Sequence, residues 1–163
     1  MHTLKLLLAF LVSFSSLAAV WHADNAWDTN YEQKYSEWMT TSAVHAKLFV
    51  DPSSKYYGLR ADCADAAYAL RAIFSFENSL PFAISNPSGG RSSSRLSNTT
   101  TGFDRVSNPH KRFVAFLNYL GESVGTENLS RLDTYPVKLA SVNPSTLYTY
   151  KIKARFRKKI SEL

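Results

Sequence analysis

The chain has 163 residues, of which 45% are hydrophobic and 20% are charged, and its formal net charge is +6. This length suits a single domain, and the composition excludes a wholly disordered chain, which could not build a packed core. The positive charge favours anionic partners in general, but much of it lies in a basic C-terminal tail over residues 151–163. Because no nucleic-acid-binding motif accompanies that charge, we predict no nucleic-acid partner.

The N-terminus has the pattern of a secretory signal. Lys5 precedes an apolar run over residues 6–14, and small residues follow it. We predict a signal peptide over residues 1–19, with cleavage after Ala18 or after Ala19. The apolar run is short for a membrane span, although an uncleaved anchor is the alternative. We therefore predict a secreted or periplasmic protein with no integral membrane span after cleavage.

Residues 20–150 are predicted to form a single α+β domain that begins with a free mature N-terminus at Trp21 to Trp27. Residues 28–46 follow as a helix, with His45 exposed near its end. Residues 47–50 have the composition of a short strand. One face of the helix carries an aromatic stripe, which is typical of core packing rather than of ligand stacking. The stripe consists of Trp27, Tyr31, Tyr35, Trp38 and Met39.

The clearest helix in the sequence begins near Cys63, which is the only cysteine. Asp62 is a good N-cap, and Asp65 three residues later resembles a capping box. Cys63, Ala67, Leu70 and Phe74 recur at helical spacing and predict one apolar face. We therefore expect the thiol to lie in the first turn of a core helix and to point inward.

Two interpretations of Cys63 follow from this placement. The positive end of the helix dipole favours a thiolate, as in cysteine hydrolases, although the flanking carboxylates oppose it. Alternatively, the residue is a small buried hydrophobe. Since a lone cysteine cannot form an internal disulfide, we expect it to be buried, reactive or paired between chains.

The second half of the domain begins with a polar stretch over residues 86–102, predicted to be a flexible loop. Arg91 and Arg95 in this loop are candidates for binding an acidic substrate, and a solvated loop is the alternative. A helix is predicted from Pro109 to Leu120, with His110 in its first turn and Gly121 as its C-cap. A connector over residues 126–133 precedes strands predicted at residues 137–142 and 147–152.

Two short motifs resemble the papain-like superfamily of cysteine hydrolases. Asp62-Cys63-Ala64-Asp65 resembles the nucleophile motif at the start of the central helix. Residues 143–148 are similar to the Pro-Gly-Asp segment that precedes the catalytic histidine strand in cell-wall hydrolases, with Ser145 and Thr146 replacing Gly and Asp. Bacterial cell-wall peptidases and amidases and transglutaminase-like proteins look closest.

The resemblance implies an α+β fold in which a central cysteine-bearing helix packs on a small antiparallel sheet. It also implies amide-bond hydrolysis or transfer through a Cys63 thioester, support of the oxyanion site by Tyr57, and a cell-wall peptide or protein as substrate. Such families place a histidine on the strand after residues 147–152, where this chain has a basic tail without histidine. His110 is the candidate base, because the order Cys63, His110, Asp133 matches a transglutaminase-like triad.

Two expectations address the missing histidine strand. The chain is either a shortened, incomplete hydrolase that is inactive for that reason, or a non-catalytic exported binding or structural module with a buried cysteine. No histidines or carboxylates lie at metal-ligand spacing with the cysteine, and no glycine-rich cofactor loop is present. We therefore predict no metal and no cofactor.

Overall fold

The computed structural model describes residues 19–41, 44, 47–85 and 95–149, which contain four α-helices and one two-stranded antiparallel sheet. The class is therefore α+β. Ile84 of the first strand pairs with Leu96 of the second. In chain order the elements are α1 (Thr29–Met39), α2 (Cys63–Glu77), β1 (Ala83–Ser85), β2 (Arg95–Ser97), α3 (Pro109–Ser123) and α4 (Thr126–Leu132).

Helices α2 and α3 form the centre of the structure and run antiparallel. The ring of Phe76, near the end of α2, stacks on Phe113, near the start of α3, with 4.1 Å between ring centroids. At the opposite end, a Cβ added to Gly121 of α3 would lie 3.8 Å from the side chain of Asp65 in α2. Gly121 was expected to end the helix, but α3 continues to Ser123, so that expectation is wrong.

The segment that precedes α1 belongs to the core. Val20 is 1% exposed and Trp21 is 6% exposed. The indole of Trp21 makes edge-to-face contacts with the rings of Phe76, Phe113 and Phe116. The expectation of a free N-terminus from Trp21 onward is therefore wrong. The indole of tryptophan is large and mostly apolar, so its burial in the core is more favourable than its exposure to water.

Helix α1 is shorter than predicted and packs through its aromatic stripe. Asp28 caps it by accepting from the backbone N–H of Tyr31, and the helix ends at Met39. His45 lies outside the described residues. The stripe packs around Phe74 and Leu80, which confirms the prediction of core packing.

Three predictions about loops and strands need correction. Within the predicted flexible loop, residues 86–94 lie outside the described residues, but Leu96 in β2 is 2% exposed and Asn98 is also buried. Residues 48–50 form a turn instead of a strand. Residues 137–149 contain a 3₁₀ turn at Leu139–Ser141 and no strand, and residues 150–152 lie outside the described part.

The exposure of the C-terminal segment explains the absence of strands there. Val137, Leu139 and Val142 are exposed, so these apolar side chains pack against no partner strand within the described residues. A strand needs such a partner, because its backbone groups are satisfied only across a ladder. Across residues 19–149, excluding those outside the description, no helix is long and apolar enough to cross a membrane.

Candidate thiol site

Cys63 is the first residue of α2 and is exposed, so the expectation that its thiol points inward is wrong. The buried face of α2 lies one residue further on, at Ala64, Tyr68 and Ala72. Tyr68 was not among the residues predicted for the apolar face. Its ring is buried because its hydroxyl donates to Asp133 at 2.7 Å. The buried face of α2 therefore includes Tyr68 and excludes the thiol.

The start of α2 has the predicted capping box. Asp62 Oδ1 accepts from the backbone N–H groups of Ala64 and Asp65 at 2.8 and 3.1 Å. Asp65 Oδ2 accepts from the N–H of Asp62 at 3.2 Å. Both carboxylates therefore serve the backbone of the first turn, which fixes where the helix begins.

The backbone N–H of Cys63 is not bound by either carboxylate. Within the described residues it donates to no hydrogen-bond acceptor. The exposed thiol and this unpaired N–H therefore belong to the same residue, at the positive end of a 15-residue helix. Unpaired N–H groups are usual in the first turn of a helix, and here one belongs to the residue that carries the exposed thiol.

The described histidines lie at the opposite end of α2. His110 precedes Phe113, which stacks on Phe76, and its Nε2 lies 3.1 Å from the carbonyl oxygen of Lys55. His22 follows Trp21, whose indole packs on Phe76 as well. The helical rise puts Phe76 about 20 Å from Cys63 along the axis. The structure therefore does not bring His110 to the thiol, and the Cys63–His110–Asp133 triad is not assembled.

The remaining predicted site residues are dispersed. Tyr57 is 59% exposed and makes no hydrogen bond to the thiol in the part of the chain that the structure describes. Arg95 is exposed in β2, opposite Ser85, and forms no ion pair with a described residue. Arg91 lies outside the described residues.

Sequence reasoning missed how Asp133 connects three elements. Its Oδ2 accepts from the Tyr68 hydroxyl of α2, and its Oδ1 accepts from the backbone N–H of Ser85 at 2.9 Å. Burial, together with this carboxylate, raises the pKa of Tyr68 well above its usual value. Through Ser85, which pairs with Arg95, the end of the sheet next to residues 86–94 is attached to the N-terminal half of α2, which carries Cys63. Helix α4 was predicted as a connector. The sequence signal that could have identified it is the helical spacing of two leucines, at residues 129 and 132.

No group of histidine, cysteine and acidic side chains in the described residues could hold a metal ion. Comparisons with protein-family models, with curated protein sequences and with solved structures found no match.

Proposed function

We propose that the chain is an exported thiol acyltransferase or hydrolase of papain-like type, with Cys63 as its nucleophile. The observation that carries the proposal is the exposed Cys63 thiol beside its own unpaired N–H at the start of α2. The resemblance of residues 62–65 to a nucleophile motif supports the same role. The resemblance implies that the substrate is an amide of a cell-wall peptide. The carboxylates of such a peptide would pair with the exposed, cationic Arg95.

The reaction proceeds through a thioester. The Cys63 sulfur, after its proton has passed to solvent, attacks the carbonyl carbon of the substrate. Negative charge develops on the carbonyl oxygen, where the Cys63 N–H can donate to it. The C–N bond then breaks, the amine leaves with a proton from solvent, and water or a second amine takes the acyl group from sulfur.

Among the described residues, no imidazole lies near the thiol, and this limits the substrates that the proposed site would use. His22 and His110 cannot assist proton transfer to an amine that leaves near Cys63, and such assistance contributes about 10²–10⁴-fold. We therefore expect activated acyl donors, such as p-nitrophenyl esters or peptide thioesters, to acylate Cys63 readily. Simple amides should react slowly.

Acylation of Cys63 is the test. The protein is incubated with p-nitrophenyl acetate at pH 7.5, and the acyl adduct is located by peptide mass spectrometry. We expect acylation at Cys63 at least about 10-fold faster than that of N-acetylcysteine amide, because the helix terminus and the N–H stabilise the transition state. Cys63→Ala is the matched control and should remain folded, since the side chain is exposed. A rate equal to the free thiol, or an undiminished rate in Cys63→Ala, would contradict the proposal.

A non-catalytic exported binding module is the second candidate. The observation that favours it is the position of His110 at the far end of α2. The sequence predicted a binding module with a buried cysteine, but Cys63 is exposed, so this candidate no longer includes a buried cysteine. This candidate predicts that Cys63 acylates no faster than the model thiol.

A further inference from the structure

We infer that export processing makes Ala19 the first residue of the mature protein, and that Ala19–Trp21 is an N-terminal segment built into the core. The inference rests on the export that forms part of the proposed function. The sequence leaves cleavage after Ala18 and cleavage after Ala19 both open. The contacts of Ala19 and Val20 distinguish them.

Asn98 holds the first core residues through both its backbone and its side chain. The N–H groups of Val20 and Trp21 donate to the Asn98 carbonyl at 2.8 and 3.3 Å. The Asn98 side-chain amide donates to the Trp21 carbonyl at 3.2 Å and accepts from the N–H of Phe82 at 3.1 Å. The Trp21 indole donates to the Leu80 carbonyl at 2.9 Å. These bonds lie in the buried part of the structure, so the segment is fixed in one register.

Arg112 holds the carbonyl of Ala19. Its guanidinium donates to the Ala19 oxygen at 3.1 Å and to the oxygens of Val106 and Ser107 at 2.8 and 3.4 Å. A guanidinium offers several donors in a fixed planar arrangement, so each carbonyl it binds depends on correct placement of the chain. Removal of Ala19 would take away one of these three acceptors.

Cleavage after Ala19 would also place a charge in the core. The new α-ammonium would be on Val20, which is 1% exposed, close to the cationic Arg112 that had bound the preceding carbonyl. The Asn98 carbonyl would still accept from this ammonium, but a buried charge is costly when a neighbouring group carries the same sign. Cleavage after Ala18 places the ammonium on Ala19, at the margin of the core, and retains the carbonyl that Arg112 binds.

The short distance in sequence between the apolar run and the core argues for cleavage over an anchor. Only residues 15–18 separate the run at residues 6–14 from the buried segment. Four residues span at most about 14 Å when fully extended. An uncleaved anchor would hold the folded core against the bilayer surface, whereas cleavage before Ala19 releases it with every core contact intact.

The first test is the N-terminus of the exported protein. Residues 1–163 are expressed in a bacterial host, and the mass and N-terminal peptide of the periplasmic product are measured. We expect Ala19 as the first residue. A product that begins at Val20 would overturn the inference. Uncleaved protein in the membrane fraction would also overturn the inference, whereas the acylation of Cys63 is measured separately and does not depend on either result.

The second test compares defined N-termini. Proteins that begin at Ala19 or at Val20 are released from a fusion by a protease that leaves no extra residue. We expect the protein beginning at Val20 to melt roughly 5 °C lower, because it loses a charge-assisted hydrogen bond and gains a buried charge. In an Arg112→Lys background, the guanidinium that binds the Ala19 carbonyl is absent. The difference in melting temperature between the two N-termini should then shrink by at least about half. Equal melting temperatures for the two N-termini would overturn the inference.

Discussion

Ser79 terminates α2 in a backbone conformation that serine rarely adopts. Its φ is 49°, in the left-handed region, and it directly follows the C-cap Asn78. The Leu80 N–H donates to the Ser75 carbonyl at 2.8 Å, and the Ser79 N–H donates to the Phe76 carbonyl at 3.3 Å. These two bonds form a Schellman motif, in which glycine is the usual residue at the position of Ser79.

Substitution of this serine should stabilise the protein. We expect Ser79→Gly to raise the free energy of unfolding by about 0.5–1 kcal/mol, because relief of left-handed strain exceeds the extra chain entropy of glycine. Urea denaturation monitored by tryptophan fluorescence measures the change. Ser79→Ala is the matched control: it keeps the Cβ and should give no gain. A lower stability for Ser79→Gly than for Ser79→Ala would show that the backbone is not strained there.

At the scale of elements, local signals located α1, α2 and α3 and their starts, but not α4. Asp62 caps α2 with Asp65 completing the capping box, and Pro109 opens α3, as predicted. These features depend on residues within one turn of each other, so a sequence alone reveals them. The predicted end of α3 was wrong: the helix continues past Gly121, which packs next to Asp65 of α2, to Ser123.

Features that depend on tertiary contacts could not be predicted in this way. The buried face of α2 includes Tyr68, whose hydroxyl donates to Asp133, 65 residues away, and Cys63 lies outside that face. The antiparallel direction of α2 and α3 separates His110 from Cys63, although their order in the chain suggested a pair. The candidate nucleophile was therefore identifiable from its local motif, whereas its partners were not.

At the scale of the whole molecule, three buried tyrosines make stability depend on alkaline pH. Burial raises the pKa of Tyr35 to about 12, with Arg71 opposing this shift and Glu32 adding to it. Burial, followed by the neighbouring Glu77, raises the pKa of Tyr56 well above its usual value, and Tyr68 is shifted in the same direction by burial and by Asp133.

The sign of the effect follows from these raised values. In the unfolded chain these phenols ionise near pH 10, but in the fold they remain neutral at higher pH. Their contribution is fully present below about pH 10 and is lost as the pH rises toward the folded pKa values. We expect the urea midpoint to fall steadily between about pH 10 and pH 11.5.

Removal of one of these phenols provides the control for that pH dependence. Tyr68→Phe cannot ionise, so its urea midpoint should fall less steeply above pH 10 than that of the unsubstituted protein. The substitution also removes the hydroxyl that donates to Asp133. Loss of this hydrogen bond lowers the urea midpoint by a similar amount at every pH, so it does not account for the less steep fall above pH 10. A midpoint that is unchanged between pH 9 and pH 11.5 would show that these side chains ionise equally in both states.

The central claim is that Cys63 presents an accessible thiol at the start of the core helix. The most direct measurement is the rate at which iodoacetamide alkylates Cys63 at pH 8, in the folded protein and in urea, with the extent of modification followed by intact mass. We predict that the folded protein reacts at least as fast as the unfolded chain, because the thiol is exposed and lies at the positive end of α2. A thiol that reacts only after unfolding would contradict this placement and remove the basis for catalysis at Cys63.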